Sequence, residues 1–243
     1  MQRKMMDIFA ALVAFGAFAL VPAISSAHGI LDGATTTVER GQRIVGYNEP
    51  GSVVKFNASG LVIECEETTL TGTVHTNPHT SNGAVLATIE HAFFRGKQSE
   101  THCKSWLGNG TMTVPDLTQA GGTGDASHWC IRTTPGTDTF EVEGRGCTTL
   151  GTATFTFLLH ASGTTCGYTR TANLIGHFTT VSHEASTLSL DANQSFTKHV
   201  GGILCPASGN LVEFKFELFT DTDSSIPGTW RHSGSVVDPI WIT

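Results

Sequence analysis

Residues 60–75 read GLVIECEETTLTGTVH, and the fold class follows from their pattern. Leu61, Ile63 and Cys65 recur at every second residue, the period that puts side chains on one face of a β-strand. The alternation breaks at Glu66-Glu67. It resumes with Leu70, Gly72 and Val74 in the other phase, which predicts two strands joined by a bulge or corner. Asn57-Ala58-Ser59-Gly60 is a turn signal, so residues 53–56 (VVKF) form the preceding strand. Cys65 lies on the apolar face, and Glu64, Glu66 and Glu67 make the densest acidic patch of the chain.

The same period continues in both directions. Val85, Ala87, Ile89, His91 and Phe93 form one alternating face. Residues 111–114, 128–132, 166–170, 174–181 and 187–190, Phe140 with Val142, and Phe155-Phe157-Leu159 read as further strands. Residues 211–220 alternate most regularly, with Val212, Phe214, Phe216 and Leu218 facing one way. Residues 235–243, with Val236, Ile240 and Trp241, look like a closing strand. No stretch shows a helical stripe. The expectation is an all-β, antiparallel sandwich or barrel of about eleven to thirteen short strands.

Residues 1–27 carry a targeting pattern. Arg3 and Lys4 precede the almost wholly apolar residues 8–24, and Ser25-Ser26-Ala27 supplies small residues for cleavage. A signal-peptide helix removed after Ala27 is expected. No later stretch approaches the ~20 apolar residues of a membrane span. Residues 28–50 read as a polar lead-in and 51–243 as a single β domain. A cysteine strand followed by a second cysteine about forty residues on occurs twice, which also admits two similar halves, about 51–125 and 126–243. The net charge is −7, only 14% of the residues are charged, and no Lys/Arg cluster occurs. This balance disfavours nucleic acid and anionic lipid as partners.

All six cysteines follow residue 27: Cys65, Cys103, Cys130, Cys147, Cys166 and Cys205. An even count in an exported chain predicts three disulfides. The simplest of the possible pairings is sequential: Cys65–Cys103, Cys130–Cys147 and Cys166–Cys205. No CxxC pair is present, which weighs against a cysteine zinc site.

The strand GLVIECEETTLTGTV, the His128-Trp129 strand, CGYTR, ILCPASGNLVEFKFEL and the ending PIWIT occur in this order. The layout resembles uncharacterised secreted actinobacterial six-cysteine β-proteins with no assigned activity. The resemblance covers most of residues 51–243. It implies a secreted, disulfide-stapled β protein and names no catalytic residue.

Candidate chemistry is sparse. There is no G-x-S-x-G elbow, and His183-Glu184 lacks the second histidine of a zincin helix. Glu64 with Glu66, and Glu213 with Glu217, could pair as acid and base, but such spacing is also that of any solvated strand face. Cleavage after Ala27 would make His28 the N-terminal residue, able to offer its amine and a ring nitrogen to copper. His28-Gly29 resembles the start of lytic polysaccharide monooxygenases. His75, His79, His102 and His128 are further candidate ligands among 11 histidines. Asp221-Thr-Asp223 resembles part of a calcium loop but lacks its later glycine and glutamate. Trp106 and Trp230 lie in loop-like surroundings suited to stacking on sugars, whereas Trp129 and Trp241 read as core. Sequons start at Asn57, Asn109 and Asn193.

The leading expectation is a secreted, non-enzymatic β protein with a surface or ligand-binding role and no cofactor. The alternatives are a polysaccharide or cell-envelope binding module using Trp106 or Trp230, and a copper-dependent polysaccharide monooxygenase-like enzyme built on His28.

Overall fold

The computed structural model describes residues 31–33, 38–49, 51–76, 85–96, 102–115, 117, 128–133, 137–144, 154–179, 186–220 and 240–242. Among them it is all-β. A short strand β1 (Leu31–Gly33) stands first. The chain then runs along eight tracks, each made of two strands. These are β2 (Arg43–Asn48) with β3 (Val54–Ala58), β4 (Leu61–Cys65) with β5 (Glu67–Val74), and β6 (Val85–Arg95) with β7 (Cys103–Ser105). They continue with β8 (Gly108–Thr113) and β9 (Trp129–Thr133), then β10 (Thr139–Glu143) and β11 (Phe155–Ala161). The last three are β12 (Thr164–Arg170) with β13 (Leu174–Thr179), β14 (Thr187–Leu190) with β15 (Gln194–Val200), and β16 (Ser208–Glu213) with β17 (Lys215–Thr220). A final strand, β18 (Ile240–Ile242), pairs antiparallel with β1.

Each break passes the chain from one closed sheet to another. The first barrel runs β2-β5-β6-β9-β10-β13-β14-β17 and the second β3-β4-β7-β8-β11-β12-β15-β16, each ring returning to its start. In both rings the tracks follow chain order, so this is an up-and-down meander carried through two adjoining barrels. Closure removes the exposed edges that an open sandwich would leave. Each ring is completed by the first and last tracks, β2 with β17 and β3 with β16. Four hairpins, β3–β4, β7–β8, β11–β12 and β15–β16, cap the far rim of the second barrel.

Local chemistry explains the turns and breaks. Ser59-Gly60 and Ser162-Gly163 all have positive φ, at 47°, 92°, 45° and 78°. That is the geometry of a type I′ hairpin, whose twist matches the flanking strands. At the break between β4 and β5 only Glu66 intervenes. The Asn48 side-chain amide donates to the carbonyl oxygens of Glu66 and Ser52, at 2.7 and 3.0 Å, and its oxygen accepts from the Thr68 N–H at 2.8 Å. One side chain thus supplies the backbone partners that the corner takes from the ladder. Arg170 does the same at the β12–β13 break, donating to the carbonyls of Ala172 and Asn173.

The two interiors differ in filling. The second barrel holds an aromatic cluster: Phe56 lies 5.0 Å from Tyr168, 5.6 Å from Phe196 and 5.9 Å from Phe157, between ring centres. Gly209 leaves the space that Phe56 occupies, since a Cβ there would come within 2.4 Å of its ring. The first barrel is lined by Ile44, Leu70, Ile131, Phe140, Leu188 and Phe216 around an apolar cavity of about 30 Å³. That is water-sized, so side chains fill the ring as an eight-stranded barrel allows.

Several expectations need correction. The described residues contain eighteen strands rather than about eleven to thirteen, because each of the eight tracks is two strands and β1 and β18 add a pair. The segment read as a lead-in contains β2, which pairs with both β17 and β5. Val212 does not share the face of Phe214 and Phe216. A register shift between Leu211 and Glu213, followed by the break at Phe214, changes the phase, so Leu211 is buried and Val212 half-buried. Along β6 a register shift opposite Thr71-Gly72 likewise leaves His91 and Phe93 half-exposed while Ala92 and Phe94 are buried. In both β6 and β16 a bulge inside the strand inverts the alternation partway along it.

Among the described residues two disulfides are formed, Cys65–Cys103 and Cys166–Cys205. Cys130 is disulfide-bonded too, and its expected partner Cys147 lies outside the described residues. Residues 1–27, where a signal-peptide helix is expected, lie outside them as well, and among the described residues no helix is long and apolar enough to cross a membrane.

Burial in the aromatic cluster raises the Tyr168 pKa above its ordinary 10.0 by desolvation. Its enclosed hydroxyl has no hydrogen-bond partner among the described residues. A raised value in the folded state means full stability below pH 10.0 and a loss as the pH climbs beyond it. Tyr168→Phe is therefore expected to be neutral, or stabilising by up to about 1 kcal/mol, near neutral pH. It should also flatten the alkaline loss. Denaturant midpoints of both proteins on either side of that pH check this, and an equally steep alkaline loss in the variant refutes it.

Candidate functional site

The outer wall of the second barrel carries a site at β3, β4 and β7. Register sets its composition. Lys55 lies opposite Glu64 across β3–β4, and Glu64 lies opposite Lys104 across β4–β7. Lys55 Nζ is 2.6 Å from Glu64 Oε1, and Lys104 pairs with Glu66 at the corner. One step toward the rim, the Trp106 backbone N–H donates to the Val62 carbonyl at 3.0 Å, and both residues line the same groove. Trp106 is half-buried and packs partly against the core.

Lys55, Gly60, Val62, Glu64, Lys104, Ser105 and Trp106 line a groove of about 270 Å³. The β7–β8 hairpin holds it in shape. Ser105 Oγ donates to the Gly108 carbonyl at 2.9 Å, and Gly108 turns with φ at 97°. The result is a half-buried tryptophan beside two ion pairs and a hydroxyl. Such a site can stack on one face of a ring and hydrogen-bond groups at its edge.

A second groove, of about 310 Å³, lies at the β8, β11 and β12 rim between His102, Asn109, Thr111, His160 and Thr164. His160 Nδ1 is 2.9 Å from Thr165 Oγ1. No Trp, Tyr or Phe lines this groove.

Of the sequence-derived candidates, Trp106 is brought into a groove, while Trp230 and His28 lie outside the described residues. Trp129 is in the core, its ring 5.0 Å from Phe155. Trp241 lies on β18. Glu64 and Glu66 are taken up by lysines rather than set against each other. Among the described residues no three His, Cys, Asp or Glu side chains converge as metal ligands. His75 and His102 are exposed and His128 is half-buried; His79 and residues 221–239 lie outside the described residues. Sequence reasoning missed Lys55 and Lys104. Their only signal was strand alternation opposite an acidic face, and register was needed to read it. Comparison of the chain with protein-family models, curated proteins and solved structures finds no match.

Proposed function

We propose that the protein is an exported, non-catalytic binding protein that holds a carbohydrate of the cell envelope or its surroundings in the Trp106 groove. One observation carries this reading: a half-exposed indole fixed on a rigid hairpin beside the Lys55–Glu64 and Lys104–Glu66 pairs. A pyranose has an apolar C–H face and a rim of hydroxyls, and the groove supplies a partner for each. Export is supported by the pattern of residues 1–27 together with disulfides, which persist in oxidising compartments. The likeness to secreted actinobacterial six-cysteine β-proteins fits the same reading.

Retention on insoluble chitin, cellulose and peptidoglycan tests it. The protein is expected to be retained on one of them, and Trp106→Ala to weaken retention about tenfold or more, as loss of a central Trp contact does. Trp106→Phe should restore part of the binding, which separates stacking from a folding defect. No retention on any of the three, or equal retention of Trp106→Ala, would sink the proposal.

A further inference from the structure

The tip of the β15–β16 hairpin breaks the usual chemistry of turns. Its sequence is GGILCPA, residues 201–207, and the Cys205 N–H bonds the Gly202 carbonyl at 3.1 Å. Ile203 and Leu204 therefore occupy the two central turn positions, where Pro, Asp, Asn, Ser and Gly are favoured. Ile203 is fully exposed, at 101%, and Leu204 is 69% exposed. Val200, at the end of β15, is exposed too.

This tip is built rather than loose. Cys205 is bonded to Cys166 on β12, Lys198 Nζ donates to the Cys205 carbonyl at 3.0 Å, and the Lys198 N–H donates to the Ala207 carbonyl. Gly201, with φ at 125°, fits against Cys205 Sγ where a Cβ would lie at 2.4 Å. The backbone that carries these two large aliphatic side chains is thus held in place, so little backbone freedom is left to lose on contact.

The rest of the rim points the same way. Around the ring the hairpins follow the order β3–β4, β7–β8, β11–β12, β15–β16, so β7–β8 stands across the mouth from β15–β16. Its turn residue Leu107 is 50% exposed, and Ser162 Oγ on the hairpin between them donates to the Leu107 carbonyl at 3.2 Å. The rim segments 57–62, 105–111, 160–166 and 198–210 contain no Asp or Glu, in a chain with 21 of them. Their single Lys or Arg, Lys198, is already engaged with the Cys205 carbonyl. The far end of the first barrel, by contrast, carries Glu39 and Asp138.

We propose that this rim docks on a lipid bilayer, with Ile203 and Leu204 entering the headgroup–acyl boundary and Leu107 touching down across the mouth. Apolar tips on opposite hairpins suit a broad, fluid, apolar-backed plane better than a single protein pocket. A rim without acidic residues meets headgroups without repulsion, and without free cations it needs no anionic lipid. Binding should therefore persist at high salt and on neutral vesicles.

Co-flotation of the protein, as it leaves an exporting host with its disulfides formed, tests this. The probes are vesicles of phosphatidylcholine alone and of phosphatidylcholine with phosphatidylglycerol. Flotation is expected with both, with little salt dependence. Ile203→Asp with Leu204→Asp should cut the bound fraction about tenfold or more, since two apolar insertions are replaced by charges. Leu107→Asp should lower it less. Ile175→Asp, on the outer wall of the first barrel, should leave it unchanged. Ile203→Trp adds a second readout: its emission should shift to the blue when vesicles are added. The proposal is overturned if the wild-type protein stays unbound, if the double variant floats equally, or if the new Trp emission does not move. It is also overturned if the double variant instead abolishes self-association of the protein, which would make the tip a contact between copies.

Discussion

Replacing Cys65 and Cys103 together by alanine is expected to lower the unfolding free energy by about 4 kcal/mol, the chain-entropy value for a loop of this length. The bridge spans 38 residues, from the end of β4 to the start of β7. Those two strands share only two register pairs, Ile63 with Ser105 and Glu64 with Lys104. The second barrel is thinnest there, so the disulfide carries closure that the ladder does not. Both cysteines are buried, so alanine also leaves unfilled volume. Glu64→Gln and Glu66→Gln break half-exposed ion pairs and should cost no more than about 1 kcal/mol. Guanidinium unfolding of the three proteins makes the comparison. A cysteine loss as small as the glutamine effects would contradict the architectural weight given to this bridge.

The second large effect is expected at Arg132 and Glu143. Ile131, Phe140 and Val142 line the first barrel, so Arg132 and Glu143 point outward from β9 and β10. Even so they are only 12% and 3% exposed, with Arg132 Nε donating to Glu143 Oε2 at 2.6 Å. Removing Arg132 takes a charge-assisted hydrogen bond from a carboxylate that is only 3% exposed. Arg132→Ala should therefore destabilise by about 3–5 kcal/mol. Replacing both, Arg132→Met with Glu143→Leu, should cost much less, because the desolvation of two charges disappears along with their attraction. A double-mutant cycle by chemical denaturation measures this. If Arg132→Ala costs less than about 1 kcal/mol, the pair is solvated in solution and the argument fails.

Much of the fold was legible because strand alternation is a local property. Residues 60–75 showed their corner through a phase change, and the corner stands where the alternation broke, at Glu66. Closure into two rings was not legible. It depends on partners such as Phe56 and Leu211, far apart in the chain, and nothing local marks them. Bulges hid for a related reason. One extra residue inverts the face, so a long alternating run such as 211–220 reads as one strand when it is two.

The site was legible in part. Trp106 stood out because it sits between turn residues, and Trp129 read as core because it lies within an apolar strand; both belong there. Lys55 and Lys104 join Trp106 only through register, and register is a tertiary property. The exposed Ile203-Leu204 tip was invisible in sequence, where an apolar pair beside a cysteine looks like core. Its exposure follows from the disulfide and the tight turn, which leave those two side chains nowhere to go but outward.

The groove, the rim and the proposed bilayer contact all require that the first and last tracks close both rings. Cross-strand nuclear Overhauser effects on the labelled protein test this most directly. Closure predicts backbone contacts between Val45 and Phe219 and between Gly46 and Leu218 in the first barrel, and between Phe56 and Leu211 in the second. Contacts in only one set, or in neither, with the neighbouring β2–β5 and β3–β4 contacts intact, would mean open sheets and contradict the account.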